Sequence, residues 1–350
     1  MSPKLAICIP TYNRAQFLGE LLESIINQAP TDGTLEICIS DNHSTDSTEE
    51  TVEIYRSRFQ YITYHLNSQN LGADRNYLKC IEIATAEYCW FMGSDDKLTE
   101  SAVATILAIL QDTDYAIVLC NRYIWYKGIN IVGEQSWQDN TVNSMLYNLH
   151  ETQDFKRYCD HAMGLGSLFS YLSSIILKKD LWSKNLLGSE SFIGSAYVHV
   201  YVIFQMIKSC SPFYLYYLDK PLILCRTHND SFLDNSDILA RKKLDIVGYE
   251  RLSQIFSDAQ ESKQEMVLSV LFKDIFQSKS FYKLLYYAAN SPKHSLHETL
   301  ACTDRHKQLI KVSRNLRIIN ILYSIPLIKK LVKLLVFIRN KVIRKIIIKY

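Results

Sequence analysis

At 350 residues, with 48% hydrophobic and 12% aromatic content and no low-complexity stretch or internal repeat, the chain is globular; disordered, fibrous and repeat classes are excluded. Its formal net charge of +3 hides an asymmetry, because 13 of the 39 basic residues and none of the 36 acidic ones follow Asp304, leaving the rest with a balance of −10. An acidic body with a basic, Ile/Leu-rich tail suits an anionic membrane surface and not a nucleic-acid groove.

In chain order, Leu5 to Pro10 is a continuous apolar run of strand length. Phe17, Leu18, Leu21, Leu22, Ile25 and Ile26 then follow helical spacing. Leu35 to Ser40 is a second strand, a capped helix starts near Asp46, and Tyr61 to His65 is a third strand. Ala73 to Thr85 reads as a helix, Glu87 to Met92 as a strand, Thr99 to Leu110 as a helix and Tyr115 to Cys120 as a strand. Strands alternating with helices at this spacing predict βαβ units and an α/β fold with a mainly parallel sheet. Past Asn121 the pattern loosens. Trp125 to Val132 predicts a hairpin around Lys127-Gly128, and the polar residues 133–150 predict a mobile loop. Ser167 to Leu177 is a strand candidate and Tyr197 to Lys208 a helix. Phe213 to Leu218 and Leu222 to Cys225 are two further runs of strand length, and from about Ser236 the chain reads as helical.

The nine cysteines form no C-x-x-C pair, and Cys8, Cys38, Cys89 and Cys120 lie inside apolar runs. They read as buried thiols of a reducing compartment, not as a disulfide frame or a zinc site. The chain enters its first strand almost at once, which leaves no room for a secretory signal, and no stretch reaches the roughly 18 apolar residues of a membrane span.

Four polar clusters carry the chemistry. Pro10-Thr11-Tyr12-Asn13-Arg14 ends the first strand, and Asp41-Asn42-His43-Ser44-Thr45-Asp46 ends the second. Asn70-Leu71-Gly72-Ala73-Asp74-Arg75-Asn76 opens a helix whose N–H groups and Arg75 suit a phosphate or a nucleotide edge. Gly93-Ser94-Asp95-Asp96 follows the apolar run 87–92. Strand ends of a doubly wound sheet are where it binds ligands. Two adjacent carboxylates there suit a hard divalent cation that also holds phosphate oxygens; the alternative is that Asp95 and Asp96 cap the helix near Thr99. Each cluster alone is a common turn former, and the specificity lies in their order and spacing.

On these motifs the N-terminal third resembles family-2 glycosyltransferases of the GT-A fold, and Met92 to Asp96 is similar to abequosyltransferase-like enzymes of bacterial O-antigen synthesis. The resemblance implies a donor-binding half at 1–121, an acceptor half at 122–235 on the same sheet, and a helical C-terminal region at 236–350. Thr11, Tyr12 and Asp41 would contact the base and ribose of a nucleoside diphosphate sugar, flanked by Pro10, Asn13 and Ser94, with Arg75 near the nucleotide. Asp95 and Asp96 would hold Mg²⁺ or Mn²⁺ against the diphosphate. The family's first acid aligns with Gly93 here. His228 would complete the metal site, and Arg226 would stabilise the leaving phosphate. No Glu-Asp pair supplies a general base, so Glu190 and His199 are the candidates; His199 sits in an apolar helix, where a core histidine is the competing reading, and a retaining transfer needs neither.

From Pro326 on, Lys329, Lys330, Lys333, Lys341, Arg344 and Lys345 fall broadly within one arc of a helix, with Arg339 outside it and Leu331, Leu335, Val342, Ile343 and Ile346 mostly opposite, an imperfect amphipathic pattern. Such a helix lies on an anionic leaflet, or else docks on the body or on a second copy. Together these features predict a metal-dependent transferase acting on a lipid-linked glycan acceptor, cytoplasmic and peripheral on the inner face of the cell membrane. The rival is a degenerate, non-catalytic transferase that tethers glycan machinery.

Overall fold

The computed structural model describes residues 2–126, 130–227, 238–257 and 261–276. The chain divides into two compact units, Met1–Asn229 with Leu252–Val270, and Asp230–Arg251 with Leu271–Tyr350.

The first unit is built on a ten-stranded sheet. Its first part runs β1 (Leu5–Thr11), α1 (Ala15–Ile26), β2 (Leu35–Asp41), α2 (Thr48–Arg56), β3 (Ile62–Leu66), α3 (Ala73–Glu82) and β4 (Tyr88–Phe91). Strand order β3-β2-β1-β4 is parallel throughout. The register sets Thr11 beside Asp41 and Cys8 beside Phe91, so both strand-end clusters and the acidic turn after β4 meet at one carboxyl edge. The chain leaves β1 toward β2 on one side and reaches β4 on the other, which makes the β1/β4 boundary a topological switch point, the place where open α/β sheets bind ligands.

Every residue of β2 and β4 is buried, as central parallel strands require. Side-chain alternation divides the two faces. Leu5, Ile7, Ile9, Ile37, Ile39 and Trp90 pack with Leu18, Leu22 and Val52 of α1 and α2. Cys8, Cys38 and Cys89 face the other way and gather with Cys80 of α3, all at 0% exposure. Burial pushes the Cys8 thiol well above its ordinary range, so this set behaves as small hydrophobes.

The second part runs β5 (Lys97–Leu98), α4 (Ala102–Asp112), β6 (Ile117–Tyr126), β7 (Asn130–Gln135), β8 (Met145–Asn148), α5 (Thr152–His161), β9 (Ile175–Lys178), α6 (Lys179–Lys184), α7 (Val198–Ser209) and β10 (Tyr214–Thr227). Here the mainly parallel expectation holds only for β6 with β10; β9 sits antiparallel between β4 and β6, and β5, β7 and β8 are also antiparallel. Short antiparallel returns need no crossover helix, and that is why the alternating pattern fades after Asn121. Residues 133–150 are not a bare loop: β8 pairs with β10, and Trp137, Val142, Tyr147 and Leu149 are buried. The run 167–177 is a strand only from Ile175. Two 3₁₀ turns, Leu165–Leu168 and Leu172–Ser174, precede it, and Phe169 at φ 68° breaks any extension. The two runs at 213–225 form one strand, β10, with register shifts around Pro221. The chain continues into α8 (Ile238–Ser253) and α9 (Glu261–Phe276). Within the second unit Lys242 pairs with Asp245 and Asp274.

Candidate active site

The acidic turn is fixed from three directions. β4 ends at Phe91, and Gly93 to Asp96 turns back with the Asp96 N–H donating to the Gly93 carbonyl. Asp96 is 4% exposed, and its Oδ2 accepts from the hydroxyls of Tyr171 and Ser173, both at 2.5 Å. Its Oδ1 accepts from the Arg226 backbone N–H at 3.2 Å. Burial and the adjacent Asp95 push the Asp96 carboxyl up to about 6, while the hydroxyl donors and Arg122 oppose that rise. Asp95 is the more open acid, with its side chain 26% exposed and Oδ2 at 3.9 Å from Arg14. Of the two carboxylates expected to face a cation, Asp96 is therefore engaged as a latch, and Asp95 presents the surface. Neither caps α4, because that helix begins at Ala102 with Ser101 at its N-cap, and Thr99 instead bonds the Leu222 carbonyl.

Position 93, where the resemblance expects a first acid, is closely packed. A Cβ at Gly93 would lie 3.1 Å from Asp96 Oδ2 and 3.3 Å from both Asp95 Oδ1 and Ser173 Oγ. The Gly93 N–H already donates to Ser173 Oγ at 2.9 Å. A side chain at position 93 would therefore crowd Asp96, Asp95 and Ser173 together.

Arg226 lies beside the turn but not as expected. Its Nε donates to the Asp95 carbonyl at 3.1 Å, and one terminal nitrogen meets Glu20 at 2.9 Å. The guanidinium stacks on Phe17 and Trp125 and its side chain is 8% exposed. The two hydrogen bonds clamp Arg226 to the acidic turn and to α1. Ser94 is buried, and His228 lies outside the described residues.

At the β1/β2 edge, Asp41 is 1% exposed; Oδ1 accepts from the Ser44 N–H at 2.8 Å and Oδ2 from the Tyr64 hydroxyl at 2.7 Å. A carboxylate has about four acceptor positions, so capacity remains, but this group first orders its own turn. Asn13, at φ 50°, accepts at Oδ1 from the Thr45 N–H and donates its own N–H to Ser44 Oγ. Pro10 is half-buried at the same strand end, and Tyr12 is 43% exposed beside it. The Thr11 hydroxyl is buried with no hydrogen-bond partner among the described residues. Asn42, Asn67 and Asn76 form a buried amide network that ties this edge to the start of α3.

Across the sheet, Arg75 reaches Glu190 at 2.8 Å in an exposed ion pair, which brings two expected site residues together. His199 is not among them. It is 1% exposed, its Nε2 bonds the Phe169 carbonyl at 3.0 Å, and Tyr77 and Phe91 pack edge-on to the ring. A general base must come within hydrogen-bond reach of its substrate, and this ring offers no surface to one; the core-histidine reading holds.

The sequence model described as glycosyl transferase family 2 matches residues 6–177. Over 311 residues, 87% of this chain and 91% of the relative, the chain is 35% identical to abequosyltransferase RfbV of Salmonella typhimurium. The chain is a family 2 glycosyl transferase. It is also 28% identical, over 63% of its length and 74% of the relative, to a GalNAc(5)-diNAcBac-PP-undecaprenol beta-1,3-glucosyltransferase of Campylobacter jejuni. Staphylococcus aureus TarS 1-349, solved in complex with UDP, shares its fold with a TM-score of 0.57 at 15% identity, covering 87% of this chain and 83% of that one. The GT-A expectation holds at the level of fold.

Several residues around the acidic turn carry no local signal. Tyr171 and Ser173 lie in an aperiodic stretch, and Glu20 reads as a solvated face of α1. Arg122 stacks 3.9 Å from the Tyr171 ring centroid and donates to Gln135 and Cys225, backing the tyrosine that holds Asp96. Among the described residues no three His, Cys, Asp or Glu side chains form a metal-ligand group. A cation of the Mg²⁺ type needs only one or two carboxylates when phosphate oxygens and waters complete its shell, and Asp95 fits that role.

Proposed function

We propose that this transferase moves a sugar from a nucleoside diphosphate sugar to a hydroxyl of a bacterial surface glycan, with abequosyl transfer the nearest chemistry and a lipid-linked acceptor. One observation carries the reading: the Thr11/Asp41 edge and the acidic turn at Asp95 meet at the switch point of the sheet. The 35% identity to an abequosyltransferase and the fold shared with a UDP complex support a nucleotide-sugar donor.

Thr11, Tyr12 and Asp41 would receive the nucleoside, and Arg14, beside Asp95, would face the diphosphate. Asp95 would hold Mg²⁺ or Mn²⁺; such an ion, when bound, neutralises charge on the leaving diphosphate. Asp96 keeps the turn in place through Tyr171, Ser173 and Arg226. Glu190 is the remaining candidate to take the acceptor proton in an inverting transfer, with Arg75 paired to it at the rim.

No helix among the described residues is long and apolar enough to cross a membrane. The basic segment from Pro326 lies outside those residues, and docking of that segment on the inner leaflet would bring the site to a lipid-linked acceptor. A panel of CDP-, UDP-, GDP- and dTDP-sugars, read by thermal shift and by nucleoside diphosphate release with and without Mn²⁺, tests the proposal. One donor should raise the melting temperature and be slowly hydrolysed. Neither effect with any donor would overturn it.

A further inference from the structure

Two consecutive residues at the start of α3 grip the segment that leads into α7. Asp74 is 3% exposed. Its Oδ2 accepts from the N–H groups of Gly194 at 2.7 Å and Ala196 at 3.0 Å, and its Oδ1 accepts from the Val198 N–H at 3.3 Å. Gly194 at φ 85° and Ala196 at φ 65° are both left-handed. Alternating left-handed turns direct successive amides to one point and make an anion-binding nest; here the anion is a side chain of the protein. Tyr197, at the N-cap of α7, makes no capping bond through its side chain. Asp74 therefore caps this helix from another element and meets the positive end of its dipole. The next residue, Arg75, holds Glu190 at the other end of the same segment.

α3 opens with the cluster expected to meet the donor, and the segment 190–198 belongs to the half expected to meet the acceptor. Stability alone does not require this arrangement, since a serine or aspartate at position 197 would cap α7 locally. A φ of 65° is costly for a residue with a Cβ such as Ala196, and the convergence of three amides on one carboxylate is what holds it there.

We propose that Asp74 is a positioning residue that registers Gly194 to Val198, and with it the acceptor side, against the donor motif. Donor turnover is thereby directed to the acceptor hydroxyl in preference to water. The inference rests on the transferase reading above. A displacement of about 1 Å at a reacting centre costs on the order of 100-fold in rate, so a small shift of this segment separates transfer from hydrolysis.

The test uses the full chain with Asp74→Asn, which keeps the shape and loses an acceptor, and Asp74→Ala. Hydrogen exchange at the amides of Gly194, Ala196 and Val198 should speed up by about 10-fold or more in both, with amides of β1 and β2 unchanged. With the donor and methyl-glycoside acceptor that the wild type uses, the ratio of transfer to donor hydrolysis should fall about 10-fold in Asp74→Asn while nucleotide affinity stays within about 2-fold. Equal losses of transfer and hydrolysis, unchanged exchange at the three amides, or failure of both variants to fold would overturn the proposal. If the wild type turns over no donor at all, the transferase chemistry fails, and the exchange data still decide whether Asp74 holds the segment.

Discussion

The hydroxyl of Tyr171 donates to Oδ2 of Asp96 at 2.5 Å, joining residues 75 positions apart in the chain. This bond, with that of Ser173, fixes the acidic turn of the donor side to the stretch that enters β9. Tyr171→Phe leaves the buried carboxylate with one fewer donor. It should lower stability by about 1–3 kcal/mol, the usual worth of a hydrogen bond to a charged group. Urea unfolding of the two proteins measures the difference; an unchanged midpoint would show that water replaces the hydroxyl at no cost.

The two acids should separate by phenotype. Asp95 is the open one, so Asp95→Ala should remove at least about 100-fold of the transfer rate, as loss of a charge-stabilising group does, with the melting temperature nearly kept. Asp96→Ala should cost both activity and stability, because Tyr171, Ser173 and the Arg226 N–H all lose their acceptor. Full activity of Asp95→Ala, or of the wild type in excess EDTA, would remove the cation from the mechanism.

Restoring the acid that position 93 lacks should not help. In Gly93→Asp the new Cβ meets Asp96, Asp95 and Ser173 at 3.1–3.3 Å, and a third carboxylate adds repulsion. We expect a lower melting temperature and no gain in Mn²⁺ affinity by calorimetry. Tighter Mn²⁺ binding would mean that the turn relaxes more readily than its hydrogen bonds suggest.

Lys263 supplies a pH dependence away from the site. It is buried, its Nζ donates to the His150 carbonyl at 2.6 Å, and burial lowers its ammonium to about 8, with Glu151 opposing. The folded value lies below the unfolded one of 10.5. Between these values the unfolded chain binds the extra proton, so stability should rise with pH from about 8 to 10.5. Relative to Lys263→Met, the wild type should gain about 1 kcal/mol or more between pH 8 and 10 in urea melts. Parallel curves for the two proteins would show that solvent reaches the ammonium.

The tail proposal is tested by truncation before Pro326. Each basic residue near an anionic leaflet contributes about 1 kcal/mol, so the intact chain should sediment with phosphatidylserine vesicles, less so in high salt, and the truncated chain should not. Transfer to a free soluble acceptor should survive. Unfolding on truncation would assign the tail a structural role instead.

The donor-side elements follow from local pattern. Apolar runs ending in polar clusters place Thr11, Asp41 and Asp95 at strand ends, and parallel pairing through βαβ units carries them to one edge. Short-range periodicity suffices because burial of a central strand leaves few alternatives for its ends. What surrounds Asp96 has no such local basis. Tyr171 and Ser173 reach it only because β9 inserts antiparallel between β4 and β6, a pairing between distant stretches that no periodicity announces. Packing also governs two residues whose surroundings motif position alone does not give. Arg226 carries the charge for a phosphate, but Glu20 and Phe17 of α1 and Trp125 of β6 pack around it, two elements far from it in the chain. His199 has the chemistry of a base, but the rings of Tyr77 and Phe91 cover it. Residue type sets what a side chain can do; whether solvent and substrate reach it depends on contacts between distant segments, which exist only in the folded chain.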